Sequence, residues 1–312
     1  MKSFHVLSIL GICAAIIFLI LNSKKLNSQF DNEQVQYVQP IAVSNESEKS
    51  SLLNKDEISS IDSTRPLISN SEQLILVERP DVKIGQKLSS VIEMLKLSAD
   101  SGNNQAAYIL AINLRICNAT PSSDIELEMR LQQQSEYNDN GVAIRKTSER
   151  YEFCAGVDAG QRAQFYNYLE TAAKNGYVPA QEFLAKITPK QFLDLNGYSG
   201  LDRAEFITKR EEFIEQKVTF LESASKKGSI RALTRLSRMN YTQNTGANGR
   251  IKAYSNNQIV LELTDSNDVY NTYSRYQQNL ESQLKPEEIE QALIVSNEWL
   301  KIIKINGTLY TE

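Results

Sequence analysis

Apolar and polar positions follow three different rules along this chain. From Phe4 to Leu21 the residues FHVLSILGICAAIIFLIL are almost wholly apolar over 18 positions. At about 1.5 Å per residue, a helix of that length spans about 27 Å, the thickness of a hydrocarbon core. From 22 to 71 the period vanishes: 11 Ser, 6 Asn, 4 Gln and seven acids occupy the segment, with no glycine. Such a composition buries too little surface to offset its ordering entropy. We therefore expect a signal anchor or transmembrane helix over 1–22 and a disordered linker over 23–85. Beyond 86 apolar residues return at helical spacing, which predicts an all-α domain over 86–312.

Within that domain the helical period is explicit. Phe206, Phe213 and Phe220 recur every seven residues beside Ile207, Ile214, Val218 and Leu221, a wide apolar face. Near the end, Pro286 followed by Glu287 and Glu288 marks a helix start. Ile289, Ala292, Leu293, Leu300 and Ile303 then form the stripe of a capping helix. Residues 251–263 read locally as a hairpin around Ser255-Asn256-Asn257, but the register of the surrounding pattern favours helix.

Three segments align without gaps: Leu95–Ala111, Leu169–Ala185 and Leu221–Ser237. Each places a glycine seven residues after its first leucine, at Gly102, Gly176 and Gly228. Each has alanine four residues beyond the glycine, at Ala106, Ala180 and Ala232. Leucine follows four residues later, at Leu110, Leu184 and Leu236. The glycine suits the left-handed residue that closes a helix. The alanine permits close approach of a second helix, and the leucine on the same face fills the space between them. One such hairpin cannot bury its apolar face alone, so neighbours must stack.

This pattern resembles the Sel1-like repeat, a relative of the tetratricopeptide repeat. The A-x2-G-x3-A-x3-L-[AS] core is matched by Ala99 to Ala111 and by Ala173 to Ala185. The third copy departs, with Ser225 in place of the first alanine and Ser237 at its end. The resemblance covers about residues 88–284 and implies an irregular solenoid of helix-turn-helix hairpins. The glycines are spaced 74 and 52 residues apart, and a degenerate copy follows with Ser266 in the glycine place. In the longer gap, Gly141 falls near a repeat position, but Arg145 and Glu149 stand where Ala and Leu belong. That span is expected to be a divergent insert.

Cys117 and Cys154 are the cysteines of the predicted domain, and an even pair behind a secretory-type segment favours a disulfide in an oxidising compartment. Closing that loop would stabilise by about 4 kcal/mol on the chain-entropy argument. Two buried thiols in a cytoplasmic protein are the alternative. Leu21-Asn22-Ser23-Lys24 offers no convincing small-x-small cleavage site, and Ile12 before Cys13 argues against lipidation. Lys2 on one side of the apolar run and Lys24 and Lys25 on the other nearly balance, so charge alone does not orient it. The expectation is a single-pass bacterial inner-membrane protein with a periplasmic C-terminal domain, or a periplasmic or secreted protein after signal cleavage.

Charge and composition narrow the chemistry. The 34 basic and 38 acidic residues give a net charge of −4, with no basic excess to neutralise phosphates, so nucleic acid is not the expected partner. His5, the one histidine, lies beside the apolar run, and the domain therefore holds no histidine-based nucleophile pair or zinc site. Two S-x-x-K matches, Ser223 to Lys226 and Ser282 to Lys285, lack the companion elements of penicillin-recognising enzymes. The calcium-loop mimic at Glu136, Asn138, Asn140 and Gly141 ends on Thr147 rather than a bidentate acid. We expect no catalytic residue, no metal and no cofactor.

The remaining candidates are aromatic. Tyr166 and Tyr168 lie on the first helix of the second repeat, and Tyr270, Tyr273 and Tyr276 step along a later one. First helices line the concave wall of a solenoid, where tyrosines make good contacts; inter-repeat packing is the plainer role for them. Tyr166, Asn167, Glu170 and Lys174 are held as a possible binding groove. The resemblance implies a tethered scaffold that binds an unidentified protein or peptide and catalyses nothing. Cysteine-rich relatives linked to lactam binding and hydrolysis supply the alternative, a cell-wall or lactam-directed protein. They carry a cysteine pair in most repeats, whereas this chain has one pair spanning an insert.

Overall fold

The computed structural model describes residues 74–137, 141–242 and 247–310. The apolar run at 4–21 and the linker up to residue 73 lie outside the described residues. The described part is mostly helical, in agreement with the all-α expectation. Its helices are α1 (Ile92–Asp100), α2 (Asn104–Asn118), α3 (Asp124–Tyr137), α4 (Val142–Phe153), α5 (Ala159–Ala163), α6 (Phe165–Lys174) and α7 (Val178–Leu184). They continue with α8 (Pro189–Leu195), α9 (Arg203–Lys226), α10 (Ile230–Thr242), α11 (Ala247–Leu263), α12 (Asn267–Glu281) and α13 (Pro286–Asn306). Among these no helix is long and apolar enough to cross a membrane.

The three aligned segments form helix pairs closed in one way. Gly102, Gly176 and Gly228 all have positive φ, at 94°, 79° and 80°. At each, the glycine N–H donates to the carbonyl three residues back, and the next residue's N–H donates to the carbonyl five back. These bonds are Gly102 to Ala99 and Asn103 to Ser98, Gly176 to Ala173 and Tyr177 to Ala172, and Gly228 to Ser225 and Ser229 to Ala224. This is the Schellman closure, which satisfies the orphan carbonyls of the first helix. The second helix then starts at once: Asn103 accepts from the Ala106 N–H and Ser229 from the Ala232 N–H, while α7 carries proline in its first turn. Ala106, Ala180 and Ala232, with Leu110, Leu184 and Leu236, are all buried.

Packing proceeds from neighbour to neighbour. The first core cluster joins α1, α2, α6 and α7 around Leu110, Leu114, Leu169 and Leu184, and Phe213 of α9 closes it. A second forms where Val178 and Ala185 meet Leu221, Ala224 and Leu236. Two more clusters join α10 to α13. On α9, Phe213, Phe220 and Leu221 are buried, and Phe206, Ile207, Ile214 and Val218 half-buried. Residues 247–263 are one helix, not a hairpin. Ser266 caps α12 by accepting from the Val269 N–H and does not close a helix as the glycines do. The insert forms the hairpin α3–α4.

The folded part begins earlier than the pattern predicts. Residues 74–85, assigned above to the linker, run as a strap along the helices. Ile75 and Leu76 (β1) pair in parallel with Thr308 and Leu309 (β2), and Asn113 donates to the Val82 carbonyl at 2.8 Å. Arg79 reaches the buried carboxylate of Glu182 through Nε at 3.0 Å and Nη2 at 2.6 Å, while the Ser229 hydroxyl donates to the same carboxylate at 2.6 Å. Single long-range partners hold the strap, and they leave no period in the sequence.

The C-terminal strand lies directly on the third glycine turn. Tyr310 N–H donates to the Gly228 carbonyl and Ile230 N–H to the Tyr310 carbonyl. A Cβ at Gly228 would overlap the Thr308 carbonyl oxygen, whereas one at Gly102 would meet nothing within 4 Å. Gly102→Ala should therefore cost only the left-handed strain, about 1–2 kcal/mol. Gly228→Ala should cost about 1–3 kcal/mol more, because backbone must move. Urea denaturation of the two variants checks the order, and equal losses would show that the strand does not press on this turn.

Candidate functional site

The insert is fastened by a covalent and an electrostatic clasp at one place. Cys117, in the last turn of α2, is disulfide-bonded to Cys154, the residue that ends α4. Both are fully buried. Arg162 of α5 lies beside them with its guanidinium buried among carbonyls. Its Nε donates to Val157 at 2.9 Å, its Nη1 to Cys117, Thr120 and Pro121 at 3.0–3.3 Å, and its Nη2 to Cys154 at 3.3 Å. The carbonyl ends of α2 and α4 are thereby met by one delocalised cation, where the helix dipoles are negative. An Asp158–Gln161 capping box starts α5 and so aims Arg162.

Beyond the clasp, α3 and α4 contribute almost nothing to the core. No residue of α4 is buried, and the hairpin closes on itself through the Tyr151 hydroxyl, which donates to Asp124 at 2.6 Å. Its outer face is apolar in part: Ile125 is 72% exposed and Met129, one turn on, 59%. A cavity of about 400 Å³ lies between Met129, Glu126 and the Asn118–Pro121 turn.

The four residues held as a groove do not share one surface. Tyr166 is buried, with its ring 6.0 Å from Phe192. It belongs to an aromatic stack in which Phe192 and Phe213 lie parallel with centroids 4.1 Å apart. Tyr166 therefore packs between helices, and burial pushes its phenol far up. Asn167 and Lys174 are exposed, and Glu170 is half-buried. Glu170 pairs with Lys174 at 2.9 Å and accepts from Gln216 of α9 at 3.4 Å. On the far side of the stack, Lys217 donates to the Ile187 carbonyl at 3.0 Å with its ammonium over the Phe213 ring. Burial there pulls Lys217 down to about 8, helped by the charge of Arg235.

The structure gathers a different set of residues at α10, α11 and α12. A cleft of about 270 Å³ is lined by Ser237, Arg238 and Tyr241 of α10, Asn257 of α11, and Tyr273, Tyr276 and Leu280 of α12. Two of the three stepped tyrosines are thus brought to it, while Tyr270 stays outside. Tyr273 is buried and donates to the Thr234 carbonyl at 3.1 Å, and its ring meets Tyr276 edge-on at 5.5 Å. Burial raises the Tyr273 phenol, with the hydrogen bond to Thr234 and the charge of Arg238 pulling the other way. The contribution of α11 is polar: Asn257 lines the cleft and is the last of three consecutive buried polar residues, Ser255, Asn256 and Asn257. Ser237 donates to Asn257 Oδ1, yet Asn257 Nδ2 has no partner. The one sequence signal for Asn257 was the Ser-Asn-Asn run that resembled a turn.

Among the described residues no group of three or more His, Cys, Asp or Glu side chains is placed to hold a metal ion. No family model matches the chain, and no curated protein matches it.

Arg162→Met keeps length and packing but withdraws every donor from the carbonyl cage. With several buried acceptors left unsatisfied, the oxidised protein should lose about 3 kcal/mol in urea denaturation; a loss below about 1 kcal/mol would show that water satisfies those carbonyls. Lys217 gives a pH signature of definite sign. Its folded value is depressed, so its cost is fully present below about pH 8 and is lifted as pH rises toward the unfolded value. Relative to Lys217→Met, the wild type should therefore gain stability between about pH 8 and 10. A flat difference would remove the desolvated lysine.

Proposed function

We propose that this protein is a membrane-tethered periplasmic scaffold, built of Sel1-like helix-turn-helix repeats, that recognises a protein or peptide and catalyses no reaction. The observation that carries the reading is the α3–α4 hairpin. A segment that adds no buried residue from α4 is nonetheless clasped to the domain by Cys117–Cys154 and the Arg162 cage. Core stability does not account for its retention. Exposed apolar residues at Ile125 and Met129, presented on a rigid support, have the character of a contact surface.

Three further points support the reading. The identical Schellman closures at Gly102, Gly176 and Gly228, each followed by a buried alanine and leucine, are what repeated hairpins of one kind require. A buried disulfide fits an oxidising compartment. The 18-residue apolar run at 4–21 has the length of a membrane span, so the domain would be an anchored one. Partner recognition then falls to the insert more than to the wall carrying Tyr166.

A photo-crosslinking residue at Ile125 or Met129 of the full-length protein in its native membrane tests this. The expected result is a discrete adduct with one protein, absent when the residue is placed at exposed Glu211 on α9. It should fall at least five-fold when Cys117 and Cys154 are both replaced by serine. Adducts no stronger than at Glu211 would refute the hairpin as a contact surface. A free-thiol mass at both cysteines in protein from cells would refute the compartment.

A further inference from the structure

The cleft between α10, α11 and α12 lies apart from the hairpin, and its floor has no structural explanation. Residues facing a helical core are ordinarily apolar, yet α11 buries Ser255, Asn256 and Asn257 in succession. An amide hidden from water without a hydrogen-bond partner destabilises by about 1–3 kcal/mol. Asn257 is fully buried with its Nδ2 unpartnered, and it lines the cavity. Turning the amide over leaves its oxygen unpartnered instead, so one polar atom of Asn257 stands unused either way.

The rest of the lining says what would use it. Arg238 is the sole charged residue among those lining the cleft, and it forms no ion pair among the described residues. An exposed guanidinium at the edge of an apolar wall favours an anion, and a carboxylate meets it fork to fork. The walls are the rings of Tyr241, Tyr273 and Tyr276 with Leu280, surfaces that suit a flat ring in offset or edge contact. The volume of about 270 Å³ is at or below the small end of ligand cavities, which sets the occupant at about one ring with a short arm.

We propose that this cleft binds a small monocyclic aromatic carboxylate carrying a polar substituent. The carboxylate pairs with Arg238 at the mouth, the ring lies among the tyrosines, and the substituent takes the free hydrogen-bonding atom of Asn257. The inference does not depend on the scaffold reading, because the hairpin and the cleft share no residue.

Calorimetric titration of the full-length protein in detergent with 4-hydroxyphenylacetate tests it. Binding should be at least ten-fold tighter than for the neutral 4-hydroxyphenylacetamide and at least five-fold tighter than for cyclohexylacetate. Arg238→Gln, at an exposed position, should erase the preference for acid over amide while leaving the unfolding temperature unchanged. Tyr276→Ala, also exposed, should reduce the preference for the aromatic ring. No heat from the acid at millimolar concentration would overturn the proposal. So would equal affinity for acid and amide, or an Arg238→Gln variant that still discriminates between them. None of these results bears on crosslinking from Ile125 or Met129.

Discussion

A single buried carboxylate joins the parts of this domain that the chain keeps far apart. Glu182 sits on α7, in the second helix pair, and it accepts from Arg79 in the strap and from Ser229 at the start of α10. Ser229 in turn caps α10 through the Ala232 N–H. The strap, the second pair and the third pair therefore meet on one charge. Removing the Arg79 guanidinium would leave the Glu182 carboxylate buried without its cation, which typically costs about 3–5 kcal/mol. Close by, the C-terminal strand bonds both to the strap and to the Gly228 turn. Both ends of the described chain thus close over the third glycine, at a site where only glycine has room.

A similar logic governs the other end of the domain. The disulfide limits how far the α3–α4 insert can move from α2, and Arg162 satisfies the carbonyls that both helices leave at their ends. A cation stands where two negative helix ends converge, and the buried guanidinium has five carbonyl acceptors in place of water. The result is a hairpin held firmly at its base, with Ile125 and Met129 exposed on its outer face. Around the α10–α12 cleft the balance runs the other way, because polar groups there are buried without full compensation.

Much of the helical architecture was legible because it is locally encoded. The glycine, alanine and leucine spacing marked the three pairs, and all nine of those residues take the conformations or burial that the spacing requires. The phenylalanine heptad on α9 and the proline start of α13 were equally plain. The aromatic residues were less legible. Tyr166 was readable as packing between repeats or as part of a groove, and it lies buried against Phe192. Tyr273 and Tyr276 looked alike and have different fates, one buried and one half exposed. A tyrosine is apolar enough for a core and polar enough for a rim, so its type does not decide between them.

By itself the sequence determined what a few neighbouring residues settle among themselves: helix periods, the left-handed turns at Gly102, Gly176 and Gly228, and the caps that follow. It also named the one cysteine pair available to the folded part. Only tertiary structure decided that Arg79 belongs to the core, since its partner Glu182 lies 103 residues away. It alone decided that Arg162 guards the disulfide and that Asn257, in a Ser-Asn-Asn run, lines a cleft. Local conformational preference has a reach of about one helical turn. The choice of partner for a buried charge or amide is made by whatever the packing places beside it.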